Sequence, residues 1–187
     1  MSTKKNPIVR KWREGYWAKY KLSSEVLEKL EKVRAEAPQV TIWLGGPGRD
    51  HVMHVQRRMI KQFLEEEGFK VIFAEKHKGS LEELLEFTPS FMAVVLTISP
   101  GAAGEALDFA NINGIREKLY VYCPSEYKRG YIFRSLRRRH DVLPDERVFS
   151  LAKLEQYHEE LPHKILKAAM AESLRRAMIG RLQNQRS

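Results

Sequence analysis

The stretch Phe91-Met92-Ala93-Val94-Val95-Leu96-Thr97-Ile98 constrains the fold more than any other part of the chain. Its apolar residues run on without the polar alternation of a half-exposed strand, so it reads as a strand covered on both faces, as strands of a parallel sheet are. From Val40 onward the remaining sequence agrees, because short apolar runs alternate with amphipathic stretches. The expected class is α/β, a doubly wound parallel sheet of about five strands, with an N-terminal helical arm and a C-terminal helix.

The elements follow from local signals. A first strand, Val40 to Leu44, stops at Gly45-Gly46-Pro47-Gly48, which cannot continue it. A helix is expected from about Asp50 to Glu67, with Asp50 as its N-cap and Gly68 as its end, since Val52, Val55, Met59, Ile60 and Phe63 recur at three- and four-residue spacings. Lys70 to Ala74 reads as a second strand, and Ser80-Leu81-Glu82-Glu83 as a capping box opening a short helix. Ser99-Pro100-Gly101 breaks the central strand and leads into a helix carrying Glu105, Ala106, Leu107, Phe109 and Ala110. Leu119 to Cys123 gives a fourth strand and Val148-Phe149 a fifth, separated by a basic helix from about Tyr127 to Arg139. The chain then divides into an arm (1–39), an α/β domain (40–157) and a basic C-terminal helix (158–187) interrupted near Pro162. Trp12, Tyr16, Trp17 and Tyr20 recur near helical spacing in the arm and are expected to dock on the domain or on a partner chain, the latter giving a homo-oligomer.

Charge narrows the range of partners. The 187 residues carry a net charge of +9, concentrated at both ends of the chain and between Arg116 and Arg139, where Lys128, Arg129, Arg134, Arg137, Arg138 and Arg139 crowd together. Such a distribution suits a polyanion, either nucleic acid or an acidic partner protein, and equally a merely solvated face. No apolar run approaches the roughly 18 residues of a membrane span, and no membrane partner is expected. The single cysteine, Cys123, forms no internal disulfide, and Met1 to Asn6 shows no apolar signal core, so a cytoplasmic location is expected. The histidines lack ligand spacing, so no metal is expected, and no cofactor either.

In an open α/β sheet, ligands bind beyond the carboxyl ends of the strands, where helix N-termini point outward. Two loops of this chain are suited to that. In the first, Gly45, Gly46, Pro47 and Gly48 let a ligand approach the backbone while Arg49 reaches for an anion. In the second, Ser99, Gly101 and Ala102 precede Glu105, which is expected in the first turn of its helix, surrounded by small residues that leave its carboxylate accessible. A purely structural role, an acid favoured by the helix dipole, accounts for the position of Glu105 but not for the empty space around it. His51 and His54 lie three apart on the first helix, where packing roles are the simpler reading, and Cys123 and Trp43 read as core residues.

The succession Ile42-Trp43-Leu44-Gly45-Gly46-Pro47, the helix to Gly68, Glu83, Met92 to Ile98, and Ser99-Pro100-Gly101-Ala102-Ala103-Gly104-Glu105 resembles the nucleoside 2-deoxyribosyltransferase family. The resemblance extends through Lys118 to Tyr127 and down to Val148-Phe149-Ser150, and its most specific part is the Gly-x-x-x-Glu element matched by Gly101 and Glu105. It implies a Rossmann-like, flavodoxin-like sheet and an enzyme that cleaves or transfers the N-glycosidic bond of a nucleoside, nucleotide or NAD-like substrate. Glu105 would then be the nucleophile at the sugar C1′, Glu83 or Asp50 the acid near the departing base, and Tyr127 a residue closing over the sugar. The family's further acids stand here as Phe91 and Ser99, which implies different base recognition. The other function carried forward is a non-catalytic nucleotide-sensing module whose basic surface holds nucleic acid or a partner protein.

Overall fold

The computed structural model describes residues 6–20, 25, 26, 28, 32, 40–49, 51–76, 91–112, 114–138 and 143–184. The elements in chain order are α1 (Pro7–Tyr20), β1 (Thr41–Gly45), α2 (His54–Glu66), β2 (Lys70–Phe73), β3 (Phe91–Leu96), α3 (Pro100–Asn111), β4 (Leu119–Pro124), α4 (Tyr131–Arg138), β5 (Val148–Phe149), α5 (Leu151–Glu155) and α6 (Glu160–Asn184). All five strands are parallel, in the order β2-β1-β3-β4-β5. This is the doubly wound, flavodoxin-like arrangement expected from the sequence, and its topological switch point lies between β1 and β3.

Alternation along the strands sorts side chains onto two faces. Ile42, Leu44, Met92, Val94, Leu96 and Tyr122 meet Ile60, Phe63 and Leu64 of α2, Trp12 and Tyr16 of α1, and Ile165 and Leu166 of α6. On the other face, Trp43, Ala93, Val95, Val121 and Cys123 meet Ala102, Ala106 and Ala110 of α3 and Phe133 and Leu136 of α4. Burial of β3 on both faces explains its unbroken apolar run: Met92 through Leu96 are all fully inaccessible.

The arm docks on its own domain. Trp12 donates its indole N–H to the Tyr157 carbonyl at 2.9 Å and meets Phe63 edge-on. Arg13 pairs with the buried Glu67 at 2.5 Å. His163 accepts a hydrogen bond from Lys19 at Nδ1, 3.2 Å away, and donates from Nε2 to the Trp12 carbonyl at 2.7 Å. Trp12 and Tyr16 of the aromatic face are therefore used within the chain, Trp17 packs against the same core, and Tyr20 stays exposed.

Several expected boundaries shift, each for a local reason. Helix α2 begins at His54 behind Met53 rather than behind Asp50, because the chain first makes a turn in which His51 N–H bonds the Gly48 carbonyl and Met53 N–H bonds His51 Nδ1. Gly68 ends it as expected, at φ +83°. Ala74 leaves the second strand for a 3-10 turn. Tyr127 lies in a separate 3-10 turn, so the basic helix starts only at Tyr131. The C-terminal break falls between Glu155 and Glu160, with Tyr157 at φ +54°, and not at Pro162. Pro162 is the third residue of α6, where its missing N–H has no intrahelical acceptor to lose. The capping-box helix at Ser80 lies outside the described residues, and so does Arg139. Among the described residues no helix is long and apolar enough to cross a membrane.

Candidate functional site

The loops after β1 and β3 open side by side at the switch point, and the two layers of helices each deliver one charged side chain to it. From the first layer comes Arg57 of α2, only 1% exposed. Its guanidinium donates to the Pro47 carbonyl (2.9 Å), to the Leu44 carbonyl (2.7 Å) and to Glu75 Oε2 (2.5 Å), and lies 4.5 Å from the centre of the Phe73 ring. Arg57 thus ties the end of β1 and the turn after β2 into one unit. The hydrogen bonds and the charge of Arg57 outweigh partial burial and hold the Glu75 carboxyl below the usual range.

From the second layer comes Glu105. Helix α3 starts at Pro100 with Ser99 as N-cap, its hydroxyl accepting the Ala102 N–H at 3.3 Å. Glu105 is consequently in the second turn, not the first, and its half-buried carboxylate leans over the sheet edge. A methyl group added at Gly45 would come within 3.2 Å of Glu105 Oε2 and 2.8 Å of the Trp43 ring, so the carboxylate fills the place a side chain there would need. Burial pushes the Glu105 carboxyl above the usual range; Arg57 opposes this, while Glu75 and Asp108 add to it. The two neighbouring carboxylates are therefore driven apart, Glu75 kept ionised by its arginine and Glu105 made the more basic of the two.

Other expected site residues divide between framework and opening. Gly45, Gly46 and Pro47 form the floor; Gly46, at φ +151°, takes a conformation that favours glycine, with Leu96 Cβ only 3.2 Å from an added methyl. Arg49 is exposed on the rim of the same loop. The Ser99 hydroxyl and the Ala102 N–H satisfy each other, and Ala102 turns into the core. Nothing lies within 4 Å of a methyl built at Gly101 or Gly104, so packing does not call for glycine at either position. Tyr127 spans the loops, its hydroxyl donating to the Ile98 carbonyl at 3.3 Å. Glu83 and Asp50 lie outside the described residues. His51 precedes α2, whereas His54 opens it and lies against Phe73.

Sequence reading missed Arg57 and Glu75. The signal was present in the register: Arg57 is spaced three and seven residues from Ile60 and Leu64, on the buried face of α2, where an arginine must find partners. Arg57 Nε and His54 Nδ1 are buried and have no hydrogen-bond partner among the described residues, so the site keeps unmet polar capacity. Among the described residues no three of His, Cys, Asp and Glu converge to hold a metal ion. Cys123 is buried below the site, and burial pushes its thiol up, away from nucleophilic use. A scan of the chain against protein-family models finds no match, and a search of the curated proteins finds none either.

Proposed function

We propose that this protein cleaves or exchanges the N-glycosidic bond of a nucleoside-type compound, with Glu105 as nucleophile. The observation that carries the reading is the half-buried Glu105 carboxylate standing over Gly45 at the switch point, on a helix whose Gly101 and Gly104 have nothing within 4 Å of an added methyl. The carboxylate oxygen attacks the sugar C1′ and forms a glycosyl ester as the bond to the base nitrogen breaks. The base leaves with that electron pair and takes up a proton. Water, or a second base, then attacks C1′ and returns the free carboxylate. Partial desolvation strengthens the nucleophile, while Arg57 keeps enough positive potential nearby to limit its protonation. Glu75, held ionised by Arg57, is unsuited to donate the proton and serves to fix the arginine. Glu83 and Asp50 remain the proposed acids near the departing base.

The test is chromatography of released base after incubation of the protein with nucleosides, deoxynucleosides, nucleotides and NAD, beside Glu105→Gln. Release that disappears in the variant supports the reading; release that persists contradicts it. One observation favours a second reading, a nucleotide-sensing module: the exposed Arg49 beside backbone of the Gly46–Gly48 loop suits a phosphate without demanding turnover. A nucleotide that raises thermal stability, with no base released, favours that module.

A further inference from the structure

Helix α4 carries an inference that rests on the Glu105 reading and narrows its substrate. Its inner side is apolar, with Phe133 and Leu136 buried in the core beneath α3 and α4. On its outer side Tyr131, Arg134 and Arg138 follow one another at three- and four-residue spacing, so they share one stripe about 10 Å long. All three are exposed, Tyr131 by 62%. Just ahead of the helix, Lys128 and Arg129 are exposed as well, and Tyr127 shows 43% of its surface. Tyr127 also reaches the site, because the Ile98 carbonyl it binds immediately precedes Ser99, the N-cap of the helix that bears Glu105.

Among the described residues most of the charge on this face is unpaired. Arg137 is paired with Asp145 at 2.6 Å, whereas Lys128, Arg129, Arg134 and Arg138 have no carboxylate partner among the described residues. Four open cations interleaved with two exposed phenol rings match a chain of phosphates carrying bases, since every base offers a face to stack on an aromatic ring. An acidic peptide would use the cations and leave the rings idle. A duplex would keep C1′ and its base locked in the stack, out of reach of a carboxylate set into a sheet edge. We propose that the Tyr127–Tyr131–Arg134–Arg138 face is a track for single-stranded nucleic acid, and that the nucleotide attacked by Glu105 belongs to the strand lying on it.

The experiment measures fluorescence anisotropy of labelled single-stranded DNA and RNA oligonucleotides with the full chain across a salt series, beside a duplex of the same sequence and polyglutamate. The wild type, Glu105→Gln, Tyr131→Ala and the double variant Arg134→Ala/Arg138→Ala are compared, with circular dichroism confirming that each is folded. Four phosphate contacts predict a log–log salt slope on the order of −3 for the single strand, and the double variant should lose about 1.4 of it. Tyr131→Ala should weaken binding about tenfold, and Glu105→Gln should keep binding the strand while releasing no base from it. The track is overturned if single strands are not bound at low salt, if duplex or polyglutamate binds equally well, or if the double variant binds unchanged. Base release from free nucleosides by a protein that ignores oligonucleotides keeps the Glu105 reading and overturns the track. Binding that depends on Arg134 and Arg138, with no base released from any strand, keeps the track and overturns the catalytic half.

Discussion

The two faces of the sheet are packed by opposite means. Under α1, α2 and α6 the filling is large: Trp12, Phe63, Tyr16, Tyr122 and a row of leucines and isoleucines, with the buried polar atoms of His163 and Glu67 each given a partner. Under α3 the filling is small where Ala102, Ala106 and Ala110 meet Ala93 and Val95, and the large rings, Trp43 against Phe109, stand to one side of it. Bulky side chains bury the most apolar area and dominate stability. Alanines let a helix sit low on its strands, and that is what brings Glu105 down onto the end of β1. One face holds the molecule together, and the other sets the height of a carboxylate.

Breaking the heavy face should cost the most stability and the least chemistry. Trp12→Ala removes a fully buried ring and a hydrogen bond, so denaturant unfolding should show a loss of about 3–5 kcal/mol, with base release per folded molecule unchanged. A loss below about 1 kcal/mol would mean that the arm is not part of the core.

Arg57 joins the two faces, and its removal should harm both. Arg57→Leu leaves the Leu44 and Pro47 carbonyls and Glu75 without their donor, at a cost of about 3 kcal/mol. It also removes a cation holding Glu105 down, so the acid limb of the pH–rate profile should move to higher pH. A profile that stays in place would show that Arg57 and Glu105 are not coupled.

A gentler probe of the heavy face is pH. Burial pushes His163 below its ordinary value, and Lys19 beside Nδ1 opposes a further proton, with Glu159 partly compensating. The hydrogen bond to the Trp12 carbonyl works against the shift, His158 adds to it, and Tyr16 packs edge-on to the same ring. The unfolded chain takes up the proton first, so stability should fall as pH drops below about 6.5 and be fully present above it. His163→Gln should flatten that dependence, as read by thermal melts between pH 5 and 8.

The smallest effect belongs to the light face. Gly101→Ala meets no neighbour and should raise stability by about 0.5 kcal/mol; if the space beside Gly101 is the route to Glu105, turnover should fall as well. Stability and turnover both unchanged would leave that approach without a role.

The same contrast explains what could be read from the sequence. Periodicity reports burial, so the five strands and the buried face of the arm were legible from apolar spacing, and the switch-point loops from Gly45-Gly46-Pro47-Gly48 and Ser99-Pro100-Gly101; which surface the arm docks on was not. Turn chemistry inside a loop was not, and α2 therefore starts at His54 behind a turn stitched by His51 instead of at Asp50. Glu105 stood out because small residues surround it. Arg57 did not, because a charged residue on an amphipathic helix is ordinarily solvated, and only the tertiary structure reveals three acceptors waiting for it.

The most direct test is mass spectrometry of the peptide bearing Glu105 after brief incubation of the protein with a substrate that releases base. The wild type should carry the mass of one sugar residue on that glutamate, and Glu105→Gln should carry none and release no base. Base released by the variant at the wild-type rate, or a sugar carried on another residue, would contradict a nucleophilic Glu105.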